Sequence, residues 1–167
     1  MNFRRAGRVA VIGLASLALV ALAAVVVGPS LGLFSGSRPD VLGFSAGRFA
    51  DNGSRPNWVS STAPRADARH HVAPIAFTGD AAQAWGALGA AIAAMPRATI
   101  VTRTPGYLHV QFASEHLGFV DDAEFALDAA ASVIHVKSAA RLGIRDFGVN
   151  RERVERLRLV LQPPRPA

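Results

Sequence analysis

Gly118–Val154, GFVDDAEFALDAAASVIHVKSAARLGIRDFGVNRERV, is the stretch whose reading decides the fold. Phe119, Asp121, Ala123, Phe125 and Leu127 share one parity; Val120, Asp122, Glu124 and Ala126 share the other. A period of two is that of a strand, with the Phe/Leu parity turned toward a core. Asp121 is then a carboxylate on the apolar parity. Val133–Ala139 repeats the pattern, with Ile134 and Val136 inward and His135 and Lys137 outward. Residues 128–132 form a short hairpin connection. In that pairing Asp122 and Glu124 lie opposite or diagonal to His135 and Lys137. Such pairs are worth about 0.2–1 kcal/mol each, and the polar parity reads as a solvated face.

Downstream, Asn150 is placed as an N-cap, with Val149 and Val154 as a hydrophobic staple. Val154, Leu157, Val160 and Leu161 form the expected buried stripe of the last helix. Arg151, Glu152, Arg153, Glu155, Arg156 and Arg158 fall on its solvent side, and Pro163-Pro164 stops it. Upstream, Tyr107–Ala113 alternates with Leu108, Val110 and Phe112 inward, and Thr104-Pro105-Gly106 is the turn joining it to a strand over 99–103. Asp80, with Gln83 three residues on, opens a helix over 81–95 whose Trp85, Leu88, Ile92 and Met95 face the core. Pro74–Phe77 is a short strand. The fold class expected is α+β: an antiparallel sheet of about five strands with two helices packed on one face, preceded by a transmembrane helix.

That last expectation comes from Val9–Val27, an uncharged apolar run of nineteen residues. As a helix it is about 28 Å long, against a hydrocarbon thickness of about 30 Å. Arg4, Arg5 and Arg8 precede it and orient residues 1–8 toward the cytoplasm. The competing reading is a cleaved signal peptide, with Ala21-Leu22-Ala23 as a small-x-small site. The sequence thus divides into 1–8, the anchor 9–27, a Gly/Pro/Ser/Arg-rich arm 28–68, an α+β domain 69–162 and a tail 163–167. The expected location is a single-pass inner-membrane protein with its domain in the periplasm, or a secreted one.

Composition excludes several functions. The net charge of +6, from 18 basic and 12 acidic residues, falls to +3 without the three N-terminal arginines. No basic block follows Val27, so nucleic acid is not an expected partner. With no cysteine there is no disulfide, thiolate metal site or cysteine nucleophile. His70, His71, His109, His116 and His135 form no H-x-x-x-H pattern and read as solvated, so no metal is expected. No G-x-S-x-G elbow and no Gly-rich phosphate loop occurs, and no cofactor is expected.

Five ordered segments carry a family resemblance: PNWVSS (Pro56–Ser61), IAFTGDAAQAW (Ile75–Trp85), GFVDDAEF (Gly118–Phe125), VIHVKSAARLG (Val133–Gly143) and DFGVNRERVE (Asp146–Glu155). Together they resemble the domain of unknown function 1499 family (DUF1499), over roughly residues 41–161. The resemblance implies a bacterial-envelope or plastid setting and carries no established activity. It marks Asp121, Asp122, Glu124, His135, Ser138, Arg141, Asp146, Asn150 and Arg151 as motif positions. The family's arm usually has cysteines where this chain has Asn52 and Trp58. If that pair is a disulfide in the family, burial of Trp58 is the expected substitute here.

Three functions remain. The favoured one is a membrane-tethered extracytoplasmic module that binds an envelope protein or small ligand without catalysis. Its binding candidates are Asp122, Glu124, His135, Lys137, Arg141, Asn150 and Arg151. The second is an envelope hydrolase or isomerase using Asp122, Glu124 and His135, since two carboxylates about 7 Å apart on one strand face permit acid–base work. The third is a purely structural envelope protein, with Asp121, Arg141, Arg145 and Asp146 in a buried ion network. In this reading Asp121 pairs with Arg141 or Arg145.

Overall fold

A computed structural model describes residues 3–145 and 147–161, with side chains from Val11 onward. In chain order it contains α1 (Phe3–Val27), β1 (Phe44–Ser45), β2 (Arg48–Phe49), β3 (Trp58–Ser60), β4 (Ile75–Ala76) and α2 (Ala81–Ala94). These are followed by β5 (Ala98–Thr104), β6 (Tyr107–Ala113), β7 (Val120–Asp128), β8 (Val133–Ala140) and α3 (Val149–Leu161). One six-stranded sheet has the order β3-β8-β7-β6-β5, with β4 also on β8, and β1-β2 form a separate ribbon. The sheet pairs are antiparallel. The α+β expectation holds, with β3, a piece of the arm, added to the sheet.

The parity read from the sequence is the parity observed. Ala123 and Phe125 on β7, Ile134 and Val136 on β8, and Leu108 and Val110 on β6 form one buried cluster with Leu88 and Ile92 of α2 and Val154 and Leu157 of α3. Burying each large apolar side chain contributes about 1.5–3 kcal/mol, so this face anchors both helices. Asp80 caps α2, its Oδ1 accepting from the Gln83 amide at 2.8 Å.

α3 differs in phase from its expected stripe. Asn150, Arg153, Val154 and Leu157 are buried, whereas Val160 is exposed. The helix begins at Val149, so Asn150 sits inside its first turn. The buried stripe therefore starts with a polar residue, and Arg153 lies beside it rather than in solvent.

The transmembrane helix is a second correction. α1 is a helix, but among the described residues no helix is long and apolar enough to cross a membrane.

The arm brings the third correction: the polar parity of the sheet is not solvated. Phe44 stacks on His135 with ring centroids 5.3 Å apart, and Phe49 is buried against Phe44. Lys137 Nζ donates to the Ala50 carbonyl at 2.7 Å, and the Gly43 amide donates to Glu124. Gly36 has φ +65°, and a Cβ there would stand 2.8 Å from Leu142 Cγ, so the close passage of the arm past Leu142 requires glycine.

Trp58 is buried as expected, stacked on His70 at 4.1 Å with its Nε1 donating to the Gly53 carbonyl at 3.0 Å. His70 is held in turn by Asp67 at 2.6 Å. Trp58→Ala is expected to cost about 3–5 kcal/mol, the range for large aromatic deletions. A urea titration checks it; a loss under about 1 kcal/mol would mean that Trp58 does not pin the arm.

Candidate functional site

β7 carries adjacent aspartates whose side chains leave opposite faces of the sheet, and the structure gives each its own arginine. Asp122 accepts a two-point contact from Arg141, Nε at 2.6 Å and Nη2 at 2.9 Å. It also accepts from His109 Nε2 at 2.7 Å. The other ring nitrogen of His109 faces Arg38 Nη2 of the arm at 3.3 Å. Arginine can only donate, so His109 Nδ1 accepts there and Nε2 carries the proton given to Asp122. Burial opposes ionisation of Asp122, but the hydrogen bonds from Arg141 and His109 outweigh it and hold its pKa below the ordinary value.

Glu124 is opposite Lys137 in the register and 1% exposed. Its Oε2 accepts from the Tyr107 hydroxyl at 2.7 Å and from the Gly43 amide. Oε1 lies 3.5 Å from Lys137 Nζ and makes no hydrogen bond among the described residues. Burial pushes the Lys137 pKa down, and the charge of Glu124 only partly restores it. Burial and the hydrogen bond to Glu124 push the Tyr107 pKa well up. These groups sit between sheet and arm, and they answer one another.

On the helix face Asp121 pairs with Arg153 at 2.7 Å. Arg153 Nη1 also donates to Ser138 Oγ and Asn150 Oδ1, and its guanidinium lies 4.4 Å over the Phe112 ring. The expected pairing of Asp121 with Arg141 or Arg145 is therefore corrected. Strand alternation sends Arg141 to the arm face with Asp122, Arg145 is exposed, and the cation that reaches Asp121 comes from α3. Asp146 lies outside the described residues.

The remaining sequence candidates do not converge on an open site. His135 is covered by Phe44 and bonds to Ser61 at 3.2 Å. β7 separates β6 from β8, so His109 and His135 do not meet, and His109 is buried rather than solvated. Arg151 donates to the carbonyls of Ala68, Arg69 and His71 and staples that loop to α3. Asn150 donates to the Asn57 carbonyl.

An open cavity occurs elsewhere, at the end of the sheet where β6 leaves, β7 enters and β8 turns toward α3. Its volume is about 520 Å³, within the range of about 300–1,000 Å³ for small-molecule sites. Phe119, Leu142, Phe147 and Val149 give it apolar walls, with the Asp121–Arg153 pair among its lining. Phe147 is 94% exposed and has a left-handed backbone, φ +53°. Bulky residues rarely adopt that conformation, and an apolar ring so placed gains from any ligand that covers it. Phe34, on the chain leaving α1, lies 5.9 Å from Phe119 behind one wall.

The sequence reading missed this cavity, naming of its lining only Asp121 and Arg145 as charged candidates. A signal was available: Leu142, Ile144 and Phe147 are apolar residues in a loop otherwise made of Arg, Gly and Asp, and all three are exposed.

A profile of the family described as "Protein of unknown function (DUF1499)" matches residues 48–161. No curated protein matches the chain, and no solved structure does.

Proposed function

The chain belongs to the DUF1499 family, and on that premise we propose that it is a non-catalytic module that binds a small apolar or amphipathic ligand at the end of its sheet. The observation that carries this reading is the 520 Å³ cavity walled by Phe119, Leu142, Phe147 and Val149, open beside an almost fully exposed phenylalanine. The buried carboxylates support the absence of catalysis. Asp122 spends both oxygens on Arg141 and His109; Glu124 spends Oε2 on Tyr107 and the Gly43 amide, and its Oε1 faces Lys137 Nζ at 3.5 Å. A general acid or base needs a free proton site within reach of a substrate, and the arm lies over these two. The extracytoplasmic location expected from the N-terminal arginines and apolar run belongs to the proposal; a reporter fused after Gln162 should be active only outside the cytoplasm.

The ligand test uses the neutral fluorescent probe N-phenyl-1-naphthylamine on the full chain. Saturable binding is expected in the wild type. Ala140→Phe, which fills the cavity, and Leu142→Asp, which charges its wall, should each weaken it by about tenfold or more, about 1.4 kcal/mol. The exposed apolar α1 is common to all three proteins, so only their difference reports the cavity. Equal binding by the wild type and both variants would sink the proposal.

A further inference from the structure

We infer that this cavity takes a single-chain amphipathic carboxylate, with the hydrocarbon chain against Phe119, Leu142 and Val149 and the head group on Arg145 and Arg69. The inference rests on the binding reading above and names the ligand class for the same site.

Its basis is a second cavity beside the first. That cavity, of about 370 Å³, is lined by Pro56, Arg69, Arg145, Phe147 and Gly148. Arg145 and Phe147 line both. An apolar compartment therefore adjoins a cationic one across a shared wall, which matches a molecule with one apolar end and one anionic end.

The charges agree with this assignment. Asp121, the carboxylate in the apolar cavity, is neutralised by Arg153 at 2.7 Å, and Arg153 is occupied by Asp121, Ser138 and Asn150. Neither selects a head group. Arg145 and Arg69 are both exposed at the second cavity. The backbone that carries Arg69 is fixed, because Arg151 Nη2 donates to the carbonyls of Ala68 and Arg69 at 3.2 and 2.9 Å. A guanidinium presents parallel N–H donors that match the two oxygens of a carboxylate. A chain running from this head group past Phe147 would cover the ring that the free protein exposes.

Calorimetric titration of the full chain with decanoate, decanol and decyltrimethylammonium, each below its micelle concentration, tests the assignment. Decanoate should bind about tenfold tighter than decanol, and the cation most weakly. The double variant Arg69→Gln/Arg145→Gln should bring decanoate to the level of decanol and leave decanol unchanged. Leu142→Asp should weaken both. Decanol binding as tightly as decanoate, with both lost in Leu142→Asp, would overturn the ligand class and leave the cavity reading intact. Decanoate binding undiminished in the double arginine variant would also overturn the class. Binding untouched by Leu142→Asp would overturn the cavity assignment itself.

Discussion

Asp122→Ala should destabilise the protein by about 3–5 kcal/mol, the cost of leaving a buried charge without its partner. Asp122 is 3% exposed and Arg141 is held to it by two hydrogen bonds, with His109 as a third donor. Without the carboxylate, Arg141 and the His109 N–H lose their acceptor beneath the arm, and Arg38 loses the fixed imidazole it bonds. The sequence reading put Asp122 on a wet face, where its removal costs under about 1 kcal/mol; the measured value decides between the two placements. Chemical denaturation is the measurement, with the slope checked for constancy.

The pH dependence provides a second readout. The folded-state pKa of Asp122 lies below its ordinary value of 3.8. The stabilisation is therefore complete above the unfolded pKa and is lost as pH falls below about 3.8 toward the folded pKa. The stability difference between wild type and Asp122→Asn should be constant near neutrality and shrink through that acid window. A difference that grows with acidification would contradict the pairing.

Arg153→Ala should have the second large effect, again about 3–5 kcal/mol. It strands Asp121, removes the donors to Ser138 and Asn150, and uncovers the Phe112 ring. Asp121→Ala should cost less, since Arg153 keeps Ser138, Asn150 and the aromatic face. Replacing both partners, Asp121→Leu with Arg153→Met, should recover most of the loss, because apolar groups carry no desolvation debt. A double variant no more stable than Arg153→Ala would show that the Ser138–Asn150 bonds, rather than the ion pair, hold α3 to the sheet.

The elements themselves were legible. The alternation of Val120–Asp128 and Val133–Ala140, the turn at Pro105-Gly106 and the Asp80 cap report on interactions within a few residues of one another. Parity also separated Asp121 from Asp122, and the family match agrees with the motif resemblance. The α3 phase was not legible, because it depends on Arg153 finding Asp121 from 32 residues away.

By itself, then, the sequence determined strands β4–β8, the two packed helices and which residues of those strands share a face, since alternation and periodicity are properties of the local backbone. Only the tertiary structure decided what covers each face. The arm of residues 28–68 has little periodicity, yet Arg38, Gly43 and Ala50 meet His109, Glu124 and Lys137 and turn an expected solvated face into a buried one. The cavity likewise exists only where β6, β7 and the loop before α3 come together. Parity says which side chains point the same way; whether water, an arm or a ligand meets them depends on contacts between segments far apart in the chain.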